Sequence, residues 1–121
     1  MGTPTIISNH LGGVIPQTYS LKQNYPNPFN PITTIDYDLP KTSNVILKIY
    51  NTLGQEVVTL VDRKQTPGEK SVVWDGLNNI GKQVSSGIYI YRLEVGDPSA
   101  SSPKRQAGQR FVKSRKMVLM K

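Results

Sequence analysis

The sequence predicts an all-β domain, a β-sandwich or a small barrel, because three observations agree. Short segments alternate apolar and polar residues with the period of two that a half-buried strand requires. Turn residues interrupt these segments roughly every 8 to 12 residues, a spacing typical of sandwiches and barrels. No stretch has the apolar spacing of a convincing amphipathic helix. The 121 residues suffice for one domain with tails.

The first three predicted strands are residues 33–39, 44–51 and 56–61. Residues 33–39 alternate apolar and polar side chains, residues 44–51 place Val45, Leu47 and Ile49 on one face, and residues 56–61 form the return strand. Pro40 ends the first strand because proline lacks the amide donor of a sheet ladder. Gly54 supplies the positive φ that the tight turn between the second and third strands needs.

The remaining predicted strands are residues 71–74, 87–95 and 111–121, the last as one or two short strands. Residues 87–95 are the strongest candidate because aromatic and β-branched side chains fill them. Between the first two, "DGLNNIGK" at 75–82 has turn chemistry. It lacks the acid-rich spacing of a calcium loop, so no metal site is expected there.

This alternation also predicts the core. Inward-facing apolar residues of the six segments should pack between two layers of strands. The predicted core comprises Ile35, Tyr37, Leu47, Ile49, Val58, Leu60, Val72, Trp74, Tyr89, Tyr91, Leu93 and Leu119. Trp74 is expected to be a core or rim anchor rather than an exposed residue that stacks on a sugar.

Residues 24–31, "NYPNPFNP", are incompatible with a helix or a central strand. Tyr25, Asn27 and Asn30 each precede a proline, which favours extended backbone geometry. We therefore expect a stiff, extended strap with few backbone donors, in which Tyr25 and Phe29 anchor the strap to the sandwich edge. Such a strap would protect that edge against unwanted pairing.

Composition argues against an enzyme. The chain has no cysteine and one histidine, His10, which lies in a predicted linker over residues 1–15. No acid–base pair is recognisable, and neither thiolate metal chemistry nor a disulfide framework is available. There is no apolar run of membrane-spanning length and no signal peptide at the start of the sequence.

The net charge of +7 is localised. Residues 1–97 hold eight Lys/Arg and eight Asp/Glu, whereas residues 98–121 hold seven Lys/Arg and no acid. Such a basic segment can contact polyanions such as DNA, RNA or an acidic glycolipid, or it can simply be a solvated tail. Nucleic acid is not the expected partner because no recognition helix or exposed aromatic platform accompanies the basic residues. The candidate polyanion contacts are Lys104, Arg105, Arg110, Lys113 and Arg115.

Several motifs together resemble the type A C-terminal sorting domain of type IX secretion substrates, a family similar to the immunoglobulin-like domain of flagellar hook-capping proteins. The resemblance runs from Pro16 to Lys121. It rests on "YSLKQNYPNPFNPITTIDYDLP", "VILKIYNTLGQEVVTLV", "GEKSVVWDGLNNIGKQVSSGIYIYRLEVG" and "KMVLMK", in that order. The family's PNP motif falls on Pro26, Asn27 and Pro28, its GxY motif on Gly87, Ile88 and Tyr89, and its lysine-bearing last strand on Lys116 to Lys121.

The resemblance implies an immunoglobulin-like sandwich of about seven antiparallel strands over residues 16–121. It also implies a non-catalytic, cofactor-free address label that follows an upstream cargo domain. Outer-membrane secretion machinery would read the label, and the cargo would reach the bacterial surface or the medium. One departure is a basic insertion over residues 96–109, where the family has a short turn. We expect residues 98–109 to form a mobile surface loop.

Within "KMVLMK" we expect Met117 and Leu119 to point inward. Lys116, Val118 and Met120 should then point outward.

Two other functions stay open. A fibre subunit could form if "TIIS" at residues 5–8 completed the sheet of another copy by strand addition. A carbohydrate-binding module could use Trp74 if that side chain were exposed.

Overall fold

A computed structural model describes residues 15–98 and 109–121. The strands are β1 Ser20–Leu21, β2 Thr33–Leu39, β3 Ser43–Tyr50, β4 Glu56–Gln65, β5 Gly68–Trp74, β6 Gly87–Gly96 and β7 Gln109–Leu119. All pairings between these strands are antiparallel, and the described part of the chain contains no helix, hence none that could cross a membrane. The predicted all-β sandwich of about seven antiparallel strands is confirmed.

The strands form two sheets. One has the order β1-β2-β5 and the other the order β4-β3-β6-β7. Along β2 and β3, buried and half-buried residues alternate without a break, as expected when each sheet presents one face to a shared core. The crossing from one sheet to the other after β2, after β4 and after β5 encloses that core.

Most of the predicted core is confirmed. Nine of its twelve members are buried: Ile35, Tyr37, Leu47, Ile49, Trp74, Tyr89, Tyr91, Leu93 and Leu119. The prediction is wrong for Val58, Leu60 and Val72, which are only partly buried against the core. Val72 lies on β5, an outer strand of its sheet, where fewer neighbours cover a side chain.

Two irregularities in β4 explain the other two errors. Leu47 pairs with Val61 but Lys48 pairs with Thr59, so Leu60 is an extra residue in the ladder. Val57 is skipped in the same way two pairs later, between the Ile49–Val58 and Tyr50–Glu56 pairs. Each extra residue reverses the alternation along the strand, so Val61 becomes the buried residue of β4.

The sandwich has two different ends. Tyr19, the β2–β3 loop at residues 40–42 and the β4–β5 turn lie at one, which we call the Tyr19 end. The opposite end, called the motif end below, consists of residues 24–32, 51–55, 75–86 and 119–121. The antiparallel registers place these four segments together, since Tyr50 is paired with Ile90 and Gly87 with Leu119.

Some predictions concern residues outside the described ones. These are the linker and its histidine at residues 1–14, including the "TIIS" segment, and the insertion between β6 and β7 over residues 99–108, including Lys104 and Arg105.

Candidate functional site

The proline-rich strap is hydrogen-bonded to the end of β7. The Phe29 amide donates to the Val118 carbonyl and the Met120 amide donates to the Phe29 carbonyl, both at 2.9 Å. Phe29 thereby forms a parallel bridge with Leu119. The Val118 amide donates to Asn27 Oδ1 at 3.0 Å, so a side chain of the PNP motif continues this short pairing.

The strap also contacts the other sheet. Tyr25 forms an antiparallel bridge with Thr34 of β2, and its amide and carbonyl both bond to that residue. Between the Tyr25 and Phe29 bridges the chain bends over residues 26–28, so the prediction of an extended strap is wrong. A segment that pairs with β2 and then with β7 has to cross from one sheet to the other, and a straight strand could not do so.

The two predicted anchors differ. Phe29 is 2% exposed and is an anchor, as expected. Tyr25 is 53% exposed, so it does not anchor the strap in the core. Its hydroxyl donates to Asp36 Oδ2 at 3.0 Å on the outer surface of β2. Because that carboxylate favours the protonated phenol, the pKa of Tyr25 is raised.

Asn24 holds the start of the strap and was not singled out from the sequence. Its buried side-chain amide donates to Thr33 Oγ1 at 2.9 Å and to the Pro26 carbonyl at 3.1 Å. Its backbone amide donates to the Tyr91 hydroxyl at 2.8 Å. A sequence signal existed, because a tyrosine on the inward face of a strand requires a partner for its hydroxyl.

Tyr91 connects β6 to this part of the strap. Its hydroxyl donates to the Lys22 carbonyl at 2.6 Å while it accepts the bond from Asn24. Burial raises the pKa of Tyr91 to about 12, although the Asn24 bond and the nearby Arg115 charge act in the opposite direction.

This shift predicts alkaline instability. The unfolded tyrosine ionises near pH 10 and the folded one near pH 12. The contribution of Tyr91 to the free energy of unfolding is therefore fully present below pH 10 and is lost as the pH rises towards 12. At about 1.36 kcal/mol per pKa unit, the loss should not exceed about 3 kcal/mol. The measurement is the free energy of urea unfolding of the wild type minus that of Tyr91→Phe, followed from pH 9 to pH 12. A difference that stays constant over this range would contradict the assignment.

The GxY motif lies beside the same part of β7. Gly87 is paired with Leu119 and Tyr89 with Met117. The Tyr89 hydroxyl donates to the Ser85 carbonyl at 2.7 Å, which fixes the loop just ahead of β6.

Trp74 joins the strap and the GxY motif within the core. Its ring centroid lies 5.6 Å from that of Phe29 and 5.5 Å from that of Tyr89, the latter in an edge-to-face arrangement. Its indole nitrogen donates to the Leu77 carbonyl at 2.9 Å. Trp74 is only 1% exposed, so it cannot stack on a sugar, and the carbohydrate-binding reading loses the residue on which it rested.

The last strand has the predicted orientation. Met117 and Leu119 are fully buried, whereas Lys116 and Met120 are exposed and Val118 is half-buried.

The two motif lysines, Lys116 and Lys121, have different surroundings. The Lys116 side chain is exposed, and its carbonyl accepts a bond from Gln23 Nε2 at 2.9 Å. The Lys121 amide donates to Ser86 Oγ at 3.0 Å, and its Nζ donates to the Val84 carbonyl. Lys121 therefore ties the end of the described chain to the loop before β6.

Arg110, one of the candidate polyanion contacts, is bound within the domain. Its guanidinium donates to the Thr42 carbonyl at 2.9 Å and to the Tyr19 hydroxyl at 3.3 Å, and it lies 3.4 Å from Asp97 Oδ1. These contacts hold the Tyr19 segment against β7, where the Tyr19 and Phe111 rings also stack at 5.8 Å.

Arg115 is likewise occupied, because its Nε donates to the Leu21 carbonyl at 2.6 Å. Lys113 is exposed. A polyanion contact stays a prediction, and of the three candidates within the described residues Lys113 is the one best placed to make it. Over residues 15–98 and 109–121, no group of three metal-ligating side chains comes together.

The three motifs, distant in sequence, thus surround the last residues of β7 at the motif end. The strap pairs with residues 118–120, the GxY motif pairs with residues 117–119, and both contribute a ring to the cluster around Trp74. We take the motif end as the candidate functional site.

Comparisons with known proteins agree with the fold. The family model described as the FlgD Ig-like domain matches residues 31–99, more than half of the chain. No curated protein sequence matches. Among solved structures, the crystal structure of dimeric latent PorU from Porphyromonas gingivalis aligns with a TM-score of 0.62 and 20% identity. The alignment covers 88% of this chain but 10% of PorU, so the chain spans about a tenth of that protein's length.

Proposed function

The chain belongs to the family of FlgD Ig-like domains, and from this premise we propose that it is a non-catalytic sorting and anchoring domain. It directs an exported bacterial protein through the outer membrane to the cell surface or the medium. The observation that carries the proposal is the convergence of the PNP, GxY and lysine-bearing motifs around the end of β7. A receptor that reads all three motifs requires them on one end of the domain, and this arrangement meets that requirement.

The direction of the chain supports a label at the motif end. Tyr19 is fixed at the opposite end by its ring contact with Phe111 and by Arg110. A cargo domain upstream of the sandwich is therefore joined to it through the Tyr19 end, whereas the motifs lie at the other end. We propose that outer-membrane secretion machinery binds the motif end and that Lys113 contributes to an acidic glycolipid contact.

The test is a fusion of a periplasmic reporter to the complete chain, expressed in a bacterium that has type IX secretion. We expect the reporter at the surface or in the medium, because the domain supplies the address. The same fusion in a strain that lacks the secretion machinery, and the reporter without the domain, should stay in the periplasm. Equal export with and without the domain would refute the proposal. Electron microscopy of the purified chain checks the fibre alternative, which requires filaments.

A further inference from the structure

Two turns at the motif end have the same sequence pattern and the same hydrogen bonds. The first is "NTLGQ", residues 51–55, and the second is "NNIGK", residues 78–82. Both follow the pattern Asn-x-aliphatic-Gly-x, and each has its aliphatic residue at the tip. Leu53 is 81% exposed and Ile80 is 77% exposed, the two highest values among the exposed large apolar residues.

The asparagine fixes each turn in the same way. Asn51 Oδ1 accepts from the amides of Leu53 and Gln55 at 2.9 and 3.0 Å. Asn78 Oδ1 accepts from the amides of Ile80 and Lys82 at 3.1 and 3.0 Å. In both turns the backbone amide of the asparagine donates to the carbonyl of the fifth residue, and its carbonyl accepts from the amide of the glycine.

The glycine completes the match between the turns. Gly54 has a φ of +85° and Gly81 a φ of +82°, a conformation that other L-residues rarely adopt. Both aliphatic tips are therefore presented on backbone that is hydrogen-bonded on each side of them.

The two turns are also fixed relative to each other. The Asn79 amide donates to the Val57 carbonyl at 3.2 Å, and Asn79 Oδ1 accepts from the Thr59 amide at 3.2 Å. Asn79 Nδ2 lies 3.4 Å from Glu56 Oε2, which also accepts the Thr59 hydroxyl at 2.8 Å. The second turn is thus attached to the strand that begins directly after the first.

The core of this domain gains little from either tip, because both side chains point into water. Two exposed aliphatic residues on matched, rigid turns are what a binding surface requires, since ordering them on binding costs little conformational entropy. We propose that Leu53 and Ile80, called the apolar tips below, are a docking element that inserts into two apolar pockets of a folded protein.

Charge favours a protein over a bilayer as the occupant. Membrane-surface elements combine apolar residues such as leucine, tryptophan or phenylalanine with several basic ones. The ten residues of the two turns contain one charged side chain, Lys82, and no aromatic ring. The partner surface should accordingly be apolar at its two pockets, with one acidic group to match Lys82.

The identity of the partner rests on the proposed function: the occupant is the outer-membrane secretion machinery that receives the domain. The variant is Leu53→Ser with Ile80→Ser in the reporter fusion. The matched control is Ile15→Ser with Val112→Ser, because both aliphatic residues are also exposed, Val112 pairs with Glu94 far from the motif end, and Ile15 lies four residues before Tyr19 of the opposite end. The variant is expected to lower export at least about tenfold, and the control should change it less than about twofold.

Both double variants should fold normally, because surface substitutions rarely alter stability. Circular dichroism and the melting temperature of each purified domain check this. A second variant, Leu53→Ile with Ile80→Leu, keeps the tips apolar and should restore most of the export. Normal export of the serine variant, with the reporter still retained when the whole domain is absent, would overturn the docking proposal and leave the proposed function intact. Export that does not require the domain at all would instead refute the proposed function.

A photoreactive residue at position 53 or 80 identifies the occupant in cells. We expect a cross-link to a component of the secretion machinery, reduced by excess unlabelled wild-type domain but not by the serine variant. A cross-link to lipid, or flotation of the purified chain with vesicles of phosphatidylcholine and phosphatidylglycerol, would overturn the choice of a protein partner. A cross-link to a second copy of the chain would assign the tips to self-association instead.

Discussion

Replacing Trp74 by alanine is expected to lower the free energy of unfolding by about 3 to 5 kcal/mol, the range for removing a large buried aromatic side chain. Trp74 is the largest fully buried side chain, and its ring contacts both Phe29 of the strap and Tyr89 of β6. Removal leaves a cavity between the two sheets and deprives the Leu77 carbonyl of its donor. The measurement is equilibrium unfolding in urea followed by circular dichroism, because the variant lacks the one tryptophan of the chain that fluorescence would report on.

The neighbouring residue provides the control. Val73 is 56% exposed on the other face of the same strand, so Val73→Ala should cost less than about 1 kcal/mol. Trp74→Phe should fall between the two, because it keeps a ring but loses the donor. A cost below about 1 kcal/mol for Trp74→Ala would mean that the aromatic cluster does not hold the motif end together.

Removing residues 116–121 from the reporter fusion is expected to abolish export. The deletion removes Met117 and Leu119 from the core and the partners of Phe29 in the strap, so it affects the fold as well as the motif. The informative companion is therefore Lys116→Ala with Lys121→Ala, which keeps the strand and its buried residues. We expect this double variant to reduce export while the melting temperature changes little, since both lysines are exposed and alanine loses the Nζ bond to Val84 but keeps the backbone bond to Ser86.

Alanine substitutions at two other exposed lysines, Lys113 and Lys82, each remove one positive charge and can be compared directly. Lys113→Ala tests the glycolipid contact and should weaken surface retention more than passage through the outer membrane, with a salt-dependent effect. Lys82→Ala instead tests the acidic group that we propose on the partner surface beside the pockets for the apolar tips. The assay is the amount of reporter in the medium, on the surface and in the periplasm.

Normal export of the fusion that lacks residues 116–121 would refute the sorting proposal and favour the fibre alternative.

Much of the fold could be predicted because the controlling pattern is local. In β2 and β3 the side chains alternate without interruption, so the inward positions of Ile35, Tyr37, Leu47 and Ile49 follow from the period of two. The strand β7 allowed the same inference for Met117 and Leu119. The method failed in β4, because an extra residue in a ladder depends on the partner strand and leaves no mark in the local alternation.

The arrangement of the candidate site is less visible in the sequence. Proline spacing predicts a segment without regular structure, but it cannot show that Tyr25 pairs with β2 while Phe29 pairs with β7. That difference decides which of the two aromatic residues is buried. Arg110 and Arg115 posed a similar problem, since a basic composition does not show which guanidinium groups hydrogen-bond to backbone carbonyls in the folded chain.

The pairing of the strap with β7 has a consequence for the order in which the domain can fold. Phe29 and Val118 are separated by almost the whole described chain, yet each satisfies a backbone group of the other. Such a contact has a high contact order, so it forms late and slowly. As the chain emerges from the ribosome with its earlier residues first, the backbone of Phe29 has no partner until the end of β7 has emerged. The domain therefore passes through a stage in which six strands have emerged but the sandwich is open along the β6 edge, where an unpaired strand is exposed to pairing with other chains.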